Sequence, residues 1–562
     1  MRKKGLWQLT AVALAVALLL SACAPATPQV VEKEVVKTVV VEKPVTVEKQ
    51  VVQTVVVEKV TTPTPQMAAQ QIVRRLERAK KTEIAPNKEG GAGRDWVRVV
   101  WLAPLHLQAD GSLVPALALS VDVSADGTEY TLHLDPKAVF SNGKPITAQA
   151  VKECWEWGAK AENEPSWGGS FLILKNVEGM DAVNKGESDD ASGLIVVDDH
   201  TLKIKLTQRV IKFKEMLASY MLGVFDASDP VDDLNYWKKP AVSGPYQIEW
   251  DPDTGAVDLT PNPKWWRKPP IIQKVEFRIV ADPQARLIAY DNNEVDILKD
   301  TGDLLTQIMT QYKEQAVRIP ALGFFYLGVN SQLEPTDDVH LRRALLLAVD
   351  RRGIMKSLFP YHPVQDTMMP DVMPCYNADF QIPYDPKQAQ EELAKSRFSS
   401  ADKVPPIKLE YWADIGFWGR ILTAMQKQWQ DNLGVKVELY GVEEYEVEKY
   451  NISRSSAAAE ANDPATLFDK FGLIEGDYAK YTLSIPSKET DELTRKFLAM
   501  DENDPERCKL AQEIERRLVL DEALIWPMMG VPYHWIVKPW IMNFQTNVLQ
   551  EINWDEMWVA AH

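Results

Sequence analysis

The sequence predicts an α/β protein with more than one domain. At 562 residues the chain is longer than a single hydrophobic core usually organises. Residues 324–330 join aromatic and apolar side chains without interruption, as in a strand buried on both faces, and residues 339–359 follow with helical spacing. Residues 120–123 and 130–134 alternate apolar with polar side chains around Asp126-Gly127, which predicts a β-hairpin.

The helix predicted for residues 339–359 has an apolar stripe and an acidic start. Asp337 and Asp338 stand where a helix dipole favours negative charge, and Gly353 is expected to break the helix. The stripe consists of Leu341, Ala344, Leu345, Ala348 and Val349.

Other local patterns predict a helix, a cap and a turn. Residues 67–81 have helical character, with apolar side chains on one side and a basic opposite face. Thr147 is expected to cap the helix that follows it. Residues 251–255 suggest a calcium loop, but they lack the length and the final Glu of an EF-hand and are better explained as a hairpin turn.

Composition and motifs exclude several classes of function. The net charge of −17 disfavours nucleic acid and anionic lipid as main partners, whereas 18 Trp residues suit a surface that grips a ligand. The sequence contains no phosphate-binding Gly-rich loop, no His-Glu-x-x-His and no Gly-x-Ser-x-Gly. An extracellular hydrolase is the alternative class of function, but no residue supports it. We therefore expect no catalytic residues, metal or cofactor.

The spacing of the cysteines does not predict a disulfide framework. Cys154, Cys375 and Cys508 are scattered and lack metal-ligand spacing, which predicts isolated packing residues, although one disulfide is allowed.

The N-terminus predicts a bacterial lipoprotein signal peptide over residues 1–22. Three basic residues precede an apolar run at 9–20 that is short for a membrane span. Leu20-Ser21-Ala22-Cys23 then resembles a lipobox, which implies lipidation of Cys23 and an extracytoplasmic, membrane-anchored protein. The alternative is an ordinary secretory signal followed by an incidental cysteine.

Residues 23–66 predict a stalk. EKEVVKTVVVEK at 32–43 returns as EKQVVQTVVVEK at 48–59, and the prolines and the lack of long apolar side chains argue against a packed core. A trimerising stalk is the alternative.

A series of short motifs runs in one order along most of the chain. Its hallmark lies within residues 324–352: a strand ending in Asn330, a turn with Pro335, Arg-x-Ala-Leu and Ala-x-Asp-Arg. The other motifs include Ser243-Gly244-Pro245-Tyr246, Asn262-Pro263-Lys264-Trp265-Trp266, Glu294-Val295-Asp296-Ile297 and Val537-Lys538-Pro539-Trp540. From about residue 113 to residue 540, this order resembles the extracytoplasmic solute-binding proteins of the oligopeptide and dipeptide class, solute-binding family 5.

The resemblance implies a two-lobed α/β fold of the periplasmic-binding-protein type II class, with an extra subdomain on the first lobe. Lobe I would comprise residues 67–95, 193–320 and 533–562, the subdomain residues 96–192, and lobe II residues 321–532. The chain would cross between the lobes near Pro320 and Tyr533. The first strand usual in the family is hard to recognise before Asp95, so either residues 67–88 rebuild it or normal binding is lost.

The resemblance also implies a ligand site. Glu460 stands where the family holds a peptide's ammonium group, and Arg454 keeps the spacing of the residue that meets its carboxylate. The remaining ligand-binding candidates are Asp463, Trp412, Trp418 and Tyr533. Ala457 and Ala461 replace aromatic residues of the family pattern, which predicts wider, less aromatic walls.

The implied function is capture of a solute by hinged closure of the two lobes and its delivery to an ABC import permease. A peptide is the favoured ligand. The alternatives are a non-peptide solute of similar size, or a sensory or scaffold paralogue that has lost transport.

Overall fold

The computed structural model describes residues 65–80, 84–86, 94–163, 169–300, 304–319, 321–413, 416–531 and 534–562. The predicted signal peptide, Cys23 and stalk residues 23–64 lie outside the described residues, as do Pro320 and Tyr533. The described residues 65–69 group with residues 560–562 as one unit, in which Met67 forms an antiparallel bridge with Ala560. Gln70–Val559 forms the second unit, which contains the sheets described below.

The helices and strands are as follows. The strands are β1 (Ile72–Glu77), β2 (Leu105–Leu107), β3 (Leu113–Pro115), β4 (Ala118–Val123), β5 (Glu129–Leu134), β6 (Leu194–Asp198), β7 (Thr201–Lys205), β8 (Tyr246–Trp250), β9 (Val257–Pro261), β10 (Lys274–Ile279), β11 (Ile297–Asp300), β12 (Ala316–Arg318), β13 (Gly323–Val329), β14 (Ile407–Trp412), β15 (Val437–Val442), β16 (Ile452–Ala458), β17 (Ile525–Gly530), β18 (His534–Val537), β19 (Ile541–Met542) and β20 (Trp558–Val559). The α-helices are α1 (Arg94–Val100), α2 (Ala148–Ala159), α3 (Phe171–Leu174), α4 (Met180–Asn184), α5 (Phe213–Met216), α6 (Pro283–Asp291), α7 (Leu305–Gln311), α8 (Val339–Leu347), α9 (Arg351–Leu358), α10 (Pro386–Lys395), α11 (Gly416–Leu433), α12 (Ala465–Phe471), α13 (Asp477–Tyr481), α14 (Lys488–Ala499) and α15 (Arg507–Arg516).

A seven-stranded mixed sheet organises lobe I, in the order β12-β18-β11-β1-β10-β9-β8. Its central strand β1 pairs in parallel with β10 and with β11. The helix predicted for residues 67–81 is therefore wrong, because its middle is this strand. Arg75, counted as part of a basic surface, is fully buried, and its guanidinium lies 4.5 Å from the Trp535 ring centroid. β1 thus provides the strand that was not recognisable before Asp95.

A four-stranded antiparallel sheet, β4-β5-β7-β6, forms the subdomain of lobe I. The predicted hairpin is confirmed: β4 and β5 pair, and Gly127 in their turn has a φ of +71°, a conformation that glycine adopts without strain. Thr147 caps α2, as predicted, by accepting a hydrogen bond from the N–H of Ala150 at 3.2 Å. β6 and β7, which follow the predicted boundary at residue 193, pair within this sheet, and the boundary itself stays a prediction.

A five-stranded sheet, β15-β14-β16-β13-β17, organises lobe II. β13 is buried along its whole length, as its continuous apolar sequence predicts, and it pairs antiparallel with β16 and β17. The chain crosses between the lobe I and lobe II sheets from β12 to β13 and returns from β17 to β18. Two short connections thus join the lobes. The other predicted lobe boundaries stay a prediction.

The helical stretch after β13 is divided into α8 and α9, but the division does not fall at Gly353. Asp338 caps α8 by accepting hydrogen bonds from the N–H groups of His340 and Leu341. A new cap at Asp350 accepts from the N–H of Gly353 at 2.8 Å and starts α9. A Cβ at Gly353 would lie 2.1 Å from the Asp350 carboxylate. Gly353 therefore makes room for a cap inside α9 and does not end a helix, which corrects the prediction.

Cys375 and Cys508 form a disulfide between a loop of lobe II and α15. The predicted isolated state holds only for Cys154, which is buried, and burial raises the pKa of its thiol to about 12. In the described ranges, no helix is long and apolar enough to cross a membrane.

Glu515 on α15 is a buried acid in the core of lobe II. Its Oε1 accepts from the N–H groups of Met368 and Met369 at 2.6 and 3.0 Å, while its Oε2 has no hydrogen-bond partner among the described residues. Burial raises the pKa of Glu515 from 4.5 to about 7, against the effect of these two hydrogen bonds. Since the folded state holds this proton more tightly than the unfolded chain, stability falls as the pH rises from 4.5 through 7.

Glu515→Gln should remove this pH dependence. We expect the free energy of unfolding of the variant, relative to wild type, to rise by about 3 kcal/mol between pH 5 and pH 8, because the ionised acid is no longer buried. Urea unfolding of the full chain, followed by tryptophan fluorescence, measures this difference. Glu391→Gln, at an exposed position on α10, is the matched control. A difference that does not change with pH would show that Glu515 is not the titrating group.

Candidate functional site

Residues 460–464, called the anchor segment below, connect β16 to α12 and lie where several parts of the fold meet. Just before the segment, the N–H of Ala459 donates to the carbonyl oxygen of Leu322 at the first crossing, at 2.8 Å. Within the segment, the N–H of Asn462 donates to Oε1 of Glu215, on α5 of lobe I, at 2.8 Å. The anchor segment therefore lies on the face where lobe II meets lobe I, next to a hinge connection.

Glu460 already holds a cation from its own lobe. Its carboxylate accepts a short hydrogen bond from Nζ of Lys470 on α12, and the side chains of Glu460 and Lys470 are 8% and 1% exposed. Burial, the largest single effect, lowers the pKa of Lys470, but Glu460, Tyr478 and Asp469 together raise the pKa above its usual value, so Lys470 is charged. Holding a ligand's ammonium stays a prediction for Glu460, and it requires competition with Lys470.

Arg454 lies in β16 between two aromatic rings. Its guanidinium carbon is 4.7 Å from the ring centroid of Phe325 and 4.8 Å from that of Trp418. Arg454 is only 5% exposed and Trp418 is fully buried. Trp418 thus contributes to the core of lobe II and supports Arg454. A ligand contact by either residue stays a prediction.

Asp463 forms a buried bidentate ion pair with Arg507 on α15. The Nη1–Oδ2 and Nη2–Oδ1 distances are 2.9 and 2.6 Å, and each side chain is 3% exposed. Oδ1 also accepts from the N–H of Ala465 at the start of α12. Asp463 therefore fixes the anchor segment against α15, next to the disulfide at Cys508. A ligand contact by Asp463 stays a prediction.

Trp412 is the most accessible of the predicted aromatic residues. It ends β14, is 37% exposed, and packs edge-on against Tyr445 with a centroid distance of 5.3 Å. The hydroxyl of Tyr445 in turn donates to the carbonyl oxygen of Arg454. Trp412 and Arg454 are thus joined through Tyr445 at one end of the lobe II sheet. Tyr533 lies outside the described residues.

Ion pairs join lobe I to lobe II around the anchor segment, with the cations on lobe I and the acids on lobe II. Lys175 contacts Asp469 at 3.5 Å and Asp477 at 3.0 Å. The other pairs are Arg209–Asp501 at 3.3 Å and Lys212–Glu502 at 3.0 Å. All these side chains are partly exposed, so each pair contributes roughly 0–1 kcal/mol and is weakened by salt.

Asp469 makes this interface sensitive to pH. Although part of the Asp469 side chain is exposed, its Oδ1 is buried without a hydrogen-bond partner among the described residues. This desolvation raises the pKa of Asp469 to about 6, although Lys175 and Lys470 favour its ionised form. The group is therefore charged at neutral pH and loses its charge as the pH falls through about 6. Below that pH, Lys175 keeps Asp477 as its acidic partner on lobe II.

The sequence reasoning missed Lys470 and the ion pairs between the lobes. Lys470 follows Glu460 by ten residues across a turn, a spacing that carries no signal of contact. The interlobe partners are separated by about three hundred residues, and only the fold brings them together. Within the described ranges, no group of His, Cys, Asp or Glu is arranged to hold a metal ion.

A family model and several known proteins match this chain over most of its length. A family model described as "Bacterial extracellular solute-binding proteins, family 5 Middle" matches residues 112–477, more than half of the chain. The oligopeptide-binding protein OppA of Bacillus subtilis is 24% identical over 457 residues, which cover 77% of this chain and 82% of the relative. The probable deoxycholate-binding periplasmic protein YgiS of Escherichia coli is 22% identical over 512 residues, covering 88% and 95%.

A solved structure supports the architecture. The murein tripeptide binding protein MppA of Escherichia coli superimposes with a TM-score of 0.75 at 20% identity, covering 88% of this chain and all of that protein. At this identity the likeness shows the fold, which is the predicted two-lobed α/β fold of the periplasmic-binding-protein type II class.

Lys175→Gln should make the lobes separate more readily. It removes the cation shared by Asp469 and Asp477, so we expect a larger radius of gyration in small-angle X-ray scattering at low salt. Wild type should change in the same direction at high salt. Lys205→Gln is the matched control, because Lys205 pairs with Glu178 inside lobe I, at 3.0 Å. An equal expansion in both variants would contradict a role for the interlobe pairs.

Proposed function

The chain belongs to family 5 of the bacterial extracellular solute-binding proteins, and we propose that it captures a peptide-class solute between its lobes for delivery to an ABC import permease. The observation that carries this proposal is the anchor segment of lobe II, which follows Ala459 at the first crossing and contacts Glu215 of lobe I. A site at a hinged domain interface suits a ligand that must contact both halves to favour closure.

The connections and contacts between the lobes allow a bound ligand to bring them together. The lobes are joined by two short connections and by ion pairs that are individually weak. A solute that contacts both faces adds its own binding energy to that balance and selects the closed state. The solute needs no chemical change for this, and we propose that the protein binds it without turnover.

Peptides are the favoured ligand class because the relatives with substantial coverage include oligopeptide-binding and murein tripeptide-binding proteins. We place the solute against the anchor segment and the exposed end of β14, where Trp412 offers an aromatic face. The alignment with the probable deoxycholate-binding protein YgiS covers 88% of this chain, which supports a non-peptide solute of similar size as the second candidate.

A bound solute should be detectable directly. We expect native mass spectrometry of the full chain, purified without denaturant, to show a co-purifying small molecule, and fragmentation to distinguish peptide from non-peptide. Adding that molecule to stripped protein should lower the radius of gyration, because closure brings the lobes together. A chain that carries no solute and does not change its radius with any member of a di- to hexapeptide library would overturn the proposal. Release of a chemically altered solute would contradict binding without turnover.

We also propose that Cys23 carries the lipid that holds the protein at the outer face of the cell membrane. Small residues and a cysteine at the end of the apolar run at 9–20 support it. Cys23→Ser should move the protein from the membrane fraction to the soluble extracytoplasmic fraction, as seen by immunoblotting, whereas Thr27→Ser should leave it at the membrane. Unchanged fractionation of Cys23→Ser would favour an ordinary secretory signal.

A further inference from the structure

The ammonium group of Lys470 lies in a complete binding site for a primary amine. It donates to the Glu460 carboxylate and, at 3.2 Å, to the carbonyl oxygen of Ala458, and it lies 5.0 Å from the ring centroid of Tyr478. A carboxylate, a carbonyl oxygen and an aromatic face are the groups with which a receptor recognises an ammonium ion. Here they surround the protein's own side chain.

The elements of lobe II alone build this site. Ala458 ends β16, Glu460 follows it directly, Lys470 extends from α12 and Tyr478 lies on α13. The site is therefore assembled whether the lobes are open or closed. Glu460 lies between Ala459, which contacts Leu322 at the first crossing, and Asn462, which contacts Glu215 of lobe I, so the site is beside the face where the lobes meet.

A ligand's ammonium cannot readily displace Lys470. The pair is almost completely buried, with side-chain exposures of 1% for Lys470 and 8% for Glu460. Removing the partner of a buried charge leaves that charge uncompensated, which is strongly unfavourable. An amine that took over the Glu460 oxygen bound by Lys470 would leave Lys470 buried without its counter-charge, which disfavours cationic ligands at Glu460.

The neighbouring acids do not offer an equivalent carboxylate. Asp469 and Asp477 both contact Lys175 of lobe I, and Asp463 is held by Arg507. Around the anchor segment, each of these acids thus faces a cation of the protein. These three acids are therefore paired with cations of the protein before any solute arrives.

We propose that Lys470 is a specificity-determining residue whose ammonium group permanently occupies Glu460, so that the site selects solutes without an essential free amino group. This inference rests on the proposed solute-binding function. Among peptides, it favours those whose amino end is blocked as an amide, because an amide makes hydrogen bonds without requiring a counter-charge. A free-amino peptide would bury its charge without a carboxylate and lose affinity.

The first experiment compares each peptide with its acetylated form. A library of tri- to hexapeptides is offered in free-amino and Nα-acetyl forms, and affinities for the full chain are measured by competition in native mass spectrometry. We expect wild type to bind the acetyl form at least as tightly as the free form. Lys470→Met should shift the ratio of affinities at least tenfold toward the free form, because Glu460 then has no internal partner.

Two control variants distinguish the effect of the Lys470 charge from a general effect of substitution. Lys480→Met, at an exposed position on α13, should leave the ratio unchanged. Glu460→Gln combined with Lys470→Met should abolish the shift, because the carboxylate is gone. A wild-type preference of tenfold or more for free-amino peptides would overturn the inference while leaving the proposed function intact. Folded Lys470→Met with an unchanged ratio would also overturn it.

The second experiment tests the amine site without a peptide, so its outcome does not depend on the proposed function. Lys470→Ala opens a space beside Glu460, and ethylammonium chloride should raise its thermal midpoint by about 2 °C or more relative to sodium chloride of equal ionic strength. Wild type should show no such difference, because its site is full. Equal responses of wild type and variant would overturn the assignment of this site to an ammonium ion, even if no peptide bound at all.

Discussion

The arrangement between the lobes depends on the requirement that buried charges be paired. Two carboxylates of the anchor segment, Glu460 and Asp463, are held by Lys470 and Arg507. These pairs fix the turn between β16 and α12, so the N–H groups of Ala459 and Asn462 can reach the crossing and lobe I. Hydrophobic packing cannot provide this precision for a short polar turn, since packing lacks the directionality of charge-assisted hydrogen bonds. The geometry of the interface follows from these two pairs.

The two kinds of ion pair in this region have different roles. The pairs inside lobe II are nearly inaccessible to solvent and make a rigid face. The side chains that pair between the lobes are 27–58% exposed, and these pairs are weakened by salt. A rigid face on one lobe and weak contacts across the gap suit a protein whose lobes must separate without either lobe unfolding. Solute binding then needs to supply only a modest difference in energy between open and closed states.

Local sequence patterns predicted the parts of the fold that local chemistry determines. The Asp126-Gly127 hairpin, the Thr147 cap and the buried strand β13 follow from turn, capping and burial preferences that act over a few residues. The same reasoning failed for β1, because Arg75 looks like a surface cation in sequence but is buried between rings supplied by β10 and β18. Lys470 and the interlobe pairs could not be predicted, since their partners are chosen by tertiary structure alone.

The replacement of aromatic residues by alanine near the site has a structural explanation that differs from a simple widening. Ala457 and Ala461 are 4% and 0% exposed, so both pack inside lobe II and do not line an open wall. Lys470 reaches the carbonyl oxygen of Ala458 and the carboxylate of Glu460, which lie between these two alanines. The two alanines and the internal ammonium therefore lie within one short stretch of lobe II, which is the place where, in our proposal, a group of the protein stands in for a group of the ligand.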